Sequence, residues 1–336
     1  EMMPDEAMVK VKAVGLCGSD IPRALVYGAH VSPITIGHEF SGEIEAVGSE
    51  VKNFKPGDRV VVPPLIPCGE CEWCQKGIYS LCEDYDYYGS RRDGALAEYV
   101  SVKESNLLKV PDKVSFEDAA TLDPCANAYH GLMRGNFKEG DSVCVVGTGP
   151  IGLFAAQYAK LYGASKVIAV DVWDEKLEIA KKVGADVVIN STKEDAVEAV
   201  HQATDGKGAN IVIDFSGAPI AQKQCILMAS KMGRVVFLGI SHKGLDLSEK
   251  EVDTIMRSQL SVVGSWNSFT KPYPGEDWTE SLKGFDEKGM TAKDIISHRL
   301  PLDDAPAVLG EIAKGGYFYN KVMFYPDGYD GDFDTV

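Results

Sequence analysis

Long apolar runs are missing from this 336-residue chain; none approaches the roughly 20 residues that cross a bilayer, so no membrane span is expected. Basic charge is also in short supply. Lys and Arg number 34 against 50 Asp and Glu, a formal net charge of −16, and such a surface repels both nucleic acid and anionic lipid. Neither is expected as a partner. A signal peptide is absent as well, although the opening "EMMPDEAMVKVKAVGLCGSD" reads as the interior of a domain, and a targeting segment could have preceded it. What remains is an ordinary globular composition, 45% hydrophobic and 25% charged, with length enough for two domains.

Eight cysteines are present: Cys17, Cys68, Cys71, Cys74, Cys82, Cys125, Cys144 and Cys225. A disulfide framework suits a small secreted domain, not a chain with its own large core, so a reducing compartment, the cytoplasm, is expected. Four of the eight crowd into "PCGECEWCQKGIYSLC", residues 67–82. Cys68, Cys71, Cys74 and Cys82 follow C-x2-C-x2-C-x7-C, and four thiolates close a tetrahedral shell around Zn²⁺ with no position left for substrate. An iron–sulfur cluster is the rival, but no second redox motif accompanies it. The stretch is too polar for a core strand holding idle thiols.

Residues 1–120 read as β-rich. "AMVKVKAV" alternates with period two, "FSGEIEAVGSEV" does so in part, and "FKPGDRVVVPPL" sets a Pro-Gly turn before a valine-rich strand. From about residue 140 the rhythm changes. "SVCVVG", "KVIAVDV", "DVVINS", "ANIVIDFSG", "GRVVFLGI" and "LSVVGSW" are buried-strand candidates, with helical stretches such as "IGLFAAQYAKLYGA" and "QKQCILMASKM" between them. That alternation gives an α/β domain, a doubly wound parallel sheet covered on both faces. A Pro-rich loop, two helical segments and a strand near "NKVMFY" follow Trp266, and the acidic tail "PDGYDGDFDTV" is expected to be disordered.

"VCVVGTGPIGLFAAQ" holds Gly147, Thr148, Gly149, Pro150, Ile151 and Gly152 as G-x-G-x-x-G between a strand and a helix. The glycines permit a tight turn and close approach to a pyrophosphate at the helix N-terminus. Asp171 ends the next strand, where an acid accepts from ribose hydroxyls and repels a 2′-phosphate, so NAD is expected over NADP; Lys176 lies one turn on. A glycine turn in a ligand-free domain is the plain alternative. A second metal site is read between "GLCGSD" and "TIGHEFSG": Cys17 offers a thiolate, His38 an imidazole and Glu39 a carboxylate. A further ligand from "TLDPCANAYH" is Asp123 or Cys125, and His38 as an ordinary turn histidine is the bland alternative.

"GLCGSD", "GHEFSG", the four-cysteine lobe, "FKPGDRV", "DGALAEYV" and "VVGTGPIGL" together resemble the zinc-dependent medium-chain dehydrogenases, in that family's order across nearly the whole chain. The resemblance implies a GroES-like catalytic domain over 1–122 with a structural zinc lobe at 67–83, a Rossmann NAD-binding domain over 123–268, a return to the catalytic domain over 269–326, and the tail 327–336. The family's opening hairpin is not among these residues, which would leave a sheet edge unpaired. By the same likeness Cys17, His38, Glu39 and Asp123 surround a catalytic zinc, with Glu39 alternating between metal and water. Asp123-Pro124 stands where this branch carries Glu before Pro. Ser19 matches the proton-relay serine, while the relay histidine's place is taken by Pro22. One catalytic and one structural zinc per chain are implied, and "LSVVGSW" matches the strand that pairs across a homodimer, alone or within a dimer of dimers.

The activity implied is hydride transfer between NAD and a secondary alcohol of a sugar alcohol. "CGSDIPRALVYGAHVSPITIGHEFSG", "YDYYGSRRDGALAEYV" and "GSWNSFTKPYPGEDW" look most like the branch that converts galactitol 1-phosphate to tagatose 6-phosphate. Arg91 and Arg92 are then candidate phosphate contacts, or else a solvated turn, with His30, Ser265, Trp266 and Asn267 as pocket candidates. Free polyols of the sorbitol, xylitol or butanediol type are the variant reading. An impaired NAD-binding protein that has lost the catalytic zinc is the alternative of another class.

Overall fold

The computed structural model describes residues 2–329 and 331–334. Its strands are β1 (Glu6–Gly15), β2 (Glu39–Val47), β3 (Arg59–Val61), β4 (Leu65–Ile66), β5 (Asp86–Tyr87), β6 (Tyr99–Lys103), β7 (Leu108–Lys109), β8 (Ser142–Val146), β9 (Lys166–Asp171), β10 (Val187–Asn190), β11 (Ala209–Asp214), β12 (Ala229–Phe237), β13 (Ser261–Gly264), β14 (Ile296–Pro301) and β15 (Lys321–Tyr325). Two compact units result, one of residues 1–123 with 268–336, the other of residues 124–267. Asp123 belongs to the first.

In the first unit the sheet runs β14-β15-β1-β2-β3-β7, and β6 also pairs with β1. Period-two patterning makes β1: Ala7, Val9 and Val11 are fully buried while Met8, Lys10 and Lys12 stay half-buried. Phe40, Ile44, Val60, Val100 and Phe324 complete this core, each full burial contributing about 1.5–3 kcal/mol. β1 has partners on both sides: β2 on one, β6 and then β15 on the other. The unpaired edge expected from a missing hairpin is therefore not found on β1.

The register of this sheet builds the site. Gly15 at the end of β1 pairs with Glu39 at the start of β2, so Cys17 and the pair His38-Glu39 arrive at the same end. A Cβ on Gly15 would stand 2.8 Å from Glu39 Oε2, so only glycine leaves room for that carboxylate. The cysteine lobe is tied to the returning chain. Phe269 N donates to Ser80 Oγ at 2.8 Å and Lys271 N to the Gly77 carbonyl at 2.9 Å.

The second unit is a parallel six-stranded sheet, β10-β9-β8-β11-β12-β13. Counted within the unit this is the order 3-2-1-4-5-6 of a doubly wound dinucleotide-binding sheet. Strands buried on both faces explain the unbroken apolar runs: Val143, Cys144 and Val145 are wholly inaccessible. The stretch "QKQCILMASKM" is helical only to Met228; β12 begins at Ala229, earlier than the "GRVVFLGI" run suggests.

Two features depart from expectation. β14, "ISHRLP", is polar enough to read as loop, yet it pairs in parallel with β15. The tail is held in place over its described residues. Asp327 pairs with Lys10 at 2.6 Å and with Lys12, and the Tyr329 ring lies 4.5 Å from that of Tyr325. Asp334 Oδ2 accepts from Arg299 N at 2.7 Å, and Asp334 N donates to the Arg299 carbonyl at 2.9 Å. Aromatic rings and opposite charges supply the contacts that apolar periodicity would otherwise signal. Residues 330, 335 and 336 of that tail lie outside the described residues. Among the described residues no helix is long and apolar enough to cross a membrane.

Candidate metal and dinucleotide sites

The Sγ atoms of Cys68, Cys71, Cys74 and Cys82 all lie within 4.8 Å of one another, with Cys68 and Cys74 3.9 Å apart. A disulfide would bring sulfurs to about 2.05 Å. A tetrahedral zinc with bonds of about 2.3 Å sets them about 3.8 Å apart, which this cluster matches. Gly69 and Gly77, at φ +79° and +74°, turn the chain so that the thiols converge. Backbone N–H groups of Glu83 and Cys74 bring the Cys71 thiol down to about 6, while burial lifts Cys74 to about 12. One thiol is thus ready to ionise, and another would ionise only against a cation.

At the end of the sheet, the donor atoms of Cys17, His38 and Glu39 also fall within 4.8 Å of one another. His38 and Glu39 are buried. Asp20, wholly buried, organises the loop: its Oδ2 accepts from Cys17 N at 3.2 Å and its Oδ1 from Arg23 at 2.7 Å. His38 Nδ1 stands 3.4 Å from Asp20 Oδ1, a charge contact long for a hydrogen bond. Burial alone would lower the His38 pKa, but Asp20 and Cys17 outweigh it and raise it well above its ordinary value. Metal binding there displaces a proton. Glu39 Oε2 accepts from Lys321 Nζ, which also donates to the Leu16 carbonyl at 3.0 Å.

Asp123 does not join the three donors within 4.8 Å. It lies buried nearby, its carboxyl raised to about 7 by desolvation, with His38 lowering and Glu39 raising it further. Cys125, the other candidate ligand, belongs to the second unit, where its thiol points to Tyr158 Oη at 3.5 Å. Ser19 Oγ stands 3.4 Å from Cys17 Sγ.

In the second unit the helix Pro150–Leu161 follows the glycine turn after β8. Gly147 adopts φ +94°, and a Cβ on Gly152 would collide with the Gly147 carbonyl, so both are glycine for reasons of the fold. Gly149 is different. Among the described residues, its own chain neighbours aside, no atom lies within 4 Å of where its Cβ would be, and no side chain caps the helix start. That open space over bare N–H groups is what a pyrophosphate requires. Thr148 is buried, and its N–H and hydroxyl donate to Asp171 Oδ2 at 2.6 and 2.8 Å. Asp171 Oδ1 accepts from Val172 N and Trp173 N, so accepting a ribose hydroxyl displaces one of these four bonds. Lys176 is half-buried in the first turn of the following helix, Asp174–Lys182.

Residues 3–112 match the alcohol dehydrogenase GroES-like domain, and residues 150–285 match the zinc-binding dehydrogenase domain. Galactitol 1-phosphate 5-dehydrogenase of Escherichia coli (strain K12) is 36% identical over 322 residues, 96% of this chain and 93% of that protein. The chain belongs to the zinc-binding alcohol dehydrogenase family. The crystal structure of the Escherichia coli enzyme has a TM-score of 0.92 with this dehydrogenase, covering 97% of this chain and 94% of that one. Sorbitol dehydrogenase of Halalkalibacterium halodurans is also 36% identical, over 327 residues, 96% of this chain and 92% of that protein. A zinc-binding dehydrogenase-type structure from Sinorhizobium meliloti 1021, bound to NADP, is 32% identical, with TM-score 0.89 and coverage of 97% and 93%.

The remaining candidates of the dehydrogenase separate. Arg91 and Arg92 follow β5 in one turn, Arg92 paired with Asp86 at 2.8 Å and Arg91 over the Tyr85 ring at 4.5 Å. His30 is exposed beside them, its N–H donating to the Ser90 carbonyl at 3.3 Å. Ser265, Trp266 and Asn267 belong to the second unit. Ser265 is buried there, Trp266 is exposed, and Asn267 takes φ +50°. Three residues at the metal group escaped the reading of the sequence. Asp20 had a signal, an acid three residues after Cys17, where an outer partner for a ligating histidine is common. Tyr87, whose ring meets that of His38 edge-on at 5.6 Å, and Lys321 had none, because only the folded sheet brings them close.

Proposed function

We propose that this dehydrogenase reversibly oxidises a secondary alcohol of a polyol phosphate of the galactitol 1-phosphate type, with NAD as acceptor. One observation carries the reading: a thiol, an imidazole and a carboxylate converge at the buried end of the first unit's sheet, apart from the four-cysteine cluster. A catalytic zinc takes about three protein ligands and keeps a position open, and Cys17, His38 and Glu39 fit that donor set, with Asp123 as the nearby carboxylate. Bound there, zinc supplies Lewis acidity toward a substrate hydroxyl, and NAD supplies the hydride acceptor. Cys68, Cys71, Cys74 and Cys82 hold the second, structural zinc.

The chain's own residues do the rest. Asp20 faces the His38 ring at Nδ1 with its charge, 3.4 Å away, which leaves Nε2 for the metal. Ser19 takes the hydroxyl proton at Oγ. The position three residues on is Pro22, which carries no proton to relay, so Ser19 passes it to water. Gly147, Thr148, Gly149, Pro150, Ile151 and Gly152 shape the pyrophosphate turn. Asp171 accepts from the ribose, with Lys176 beside it, and its carboxylate disfavours a 2′-phosphate. Among the described residues β13 is paired only by β12, and its residues are largely exposed, which suits strand-to-strand pairing with a second copy. No cysteine among the described residues is joined in a disulfide, which suits the cytoplasm.

A second reading, oxidation of the free polyol, is favoured by the equal identity to the sorbitol enzyme. Initial rates of NADH formation with galactitol 1-phosphate and with galactitol decide between them. Turnover confined to the phosphate supports the first reading, and turnover of free galactitol at equal efficiency overturns it. The same assay with NADP tests the coenzyme; faster reduction of NADP than of NAD refutes the role given to Asp171.

A further inference from the structure

The two arginines of "GSRRDG" are neighbours in sequence and opposites in structure. Three N–H groups, those of Ser90, Arg91 and Arg92, converge on the Tyr87 carbonyl and turn the chain back beside β5. Side chains along an extended strand alternate faces, so Tyr85 and Tyr87 share one side while Asp86 and Tyr88 share the other. The arginines sort with them. Arg92 joins the second set: Nε to Asp86 at 2.8 Å, Nη1 to Tyr88 Oη at 3.4 Å and to Glu6 at 3.9 Å, over a Tyr88 ring that is part of the core. Its charge is answered within the protein.

Arg91 joins the first set. Its guanidinium lies 4.5 Å above Tyr85, the Tyr85 ring 6.1 Å from Tyr87, and the Tyr87 ring 5.6 Å from His38. The side chain is half-buried, its Nε is shielded from solvent without a hydrogen-bond partner, and among the described residues it pairs with no carboxylate. A buried donor left unmade is destabilising, and a protein with a net charge of −16 has acids in plenty to pair with a structural arginine. The arrangement suits an anion that arrives with a ligand.

We propose that Arg91, and not Arg92, is the phosphate contact of the substrate, with the tyrosine wall from His38 through Tyr87 and Tyr85 carrying the polyol between the reacting hydroxyl and the phosphomonoester. This rests on the polyol phosphate reading above. The Tyr85 face holds the guanidinium plane by a cation–π contact, so its fork is set before the phosphate arrives.

Steady-state kinetics with galactitol 1-phosphate on the zinc-loaded R91A, R91K and R92A variants test this. R91A is expected to raise KM by about 100-fold with kcat within about threefold, the signature of lost ground-state binding. R91K keeps the charge without the planar fork and falls between, which carries the test if R91A does not fold. R92A is expected to keep KM within about threefold and to lower the melting temperature instead. An unchanged KM in R91A and R91K, with the unaltered enzyme still preferring the phosphate, overturns Arg91 and leaves the substrate class standing. Equal KM increases in R91A and R92A also overturn it. An unaltered enzyme that turns over galactitol but not its phosphate overturns both the contact and the substrate reading.

Discussion

Lys321 is buried to 2% exposure at the first position of β15, against Glu39, itself 2% exposed. Its Nζ donates to Glu39 and to the Leu16 carbonyl, tying β15 and the end of β1 to the first residue of β2. Lys321→Met keeps most of the stem's volume and removes the ammonium. Glu39 and the Leu16 carbonyl then lose their donor together. The space cannot readily admit a replacement water, because a Cβ on Gly15 would already stand 2.8 Å from Glu39 Oε2 and 3.3 Å from Lys321 Cδ. Breaking one side of a buried pair costs about 3–5 kcal/mol, whereas removing both charges is close to neutral. K321M is therefore expected to lose about 3–5 kcal/mol, and E39Q/K321M to recover at least about 2 kcal/mol of it as coupling. Burial lowers the Lys321 pKa, but Glu39 and Cys17 outweigh it and raise it above 10.5, so the contribution is fully present below that value and is lost only above the higher folded one. The cost should be flat across neutral pH. Urea unfolding followed by circular dichroism, with zinc counted in every variant, supplies the numbers. A K321M loss below about 1 kcal/mol, or single costs that simply add, refutes the reasoning.

Cys74→Ser should reduce bound zinc by one ion per chain and make the segment 67–83 the first site of limited proteolysis; retention of the full zinc count by mass spectrometry contradicts the structural assignment. Asp123 makes the metal-free protein pH-sensitive. Its folded pKa, about 7, exceeds the ordinary 3.8, so the unfolded chain gives up the proton first and stability falls as pH rises between those values, by an amount on the order of 4 kcal/mol. Melting temperatures in chelator should drop from about pH 4 to 7, level off above, and lose this slope in D123N; an unchanged slope in D123N assigns the effect to another group.

How much of this was readable in advance depends on how local each signal is. The cysteine lobe and the glycine turn are written in short strings, because their geometry is a matter of one loop, and the folded chain brings those residues together. The six strands of the second unit were readable because burial on both faces demands unbroken apolar runs. β14 was not. Its serine, histidine and arginine make hydrogen bonds and an ion pair, Arg299 to Glu117 at 2.7 Å, that hydropathy does not register. The Glu39–Lys321 pair joins positions 282 residues apart and leaves no trace in any window of sequence.

The paired arginines show the same limit at the substrate's end. As letters, Arg91 and Arg92 are interchangeable, and percent identity over the whole chain is 36% to the galactitol 1-phosphate enzyme and to the sorbitol enzyme. Substrate choice is set by the few side chains that meet the ligand, and here strand alternation sorts two of them. The arginine answered by Asp86, Glu6 and Tyr88 is part of the core's own electrostatics. The one stacked on Tyr85 without a carboxylate keeps its charge available. A phosphate subsite needs an arginine whose charge the protein does not itself neutralise, so under the proposal above the feature that would discriminate the two substrate classes is the pairing state of Arg91, a property of the fold that no residue count contains.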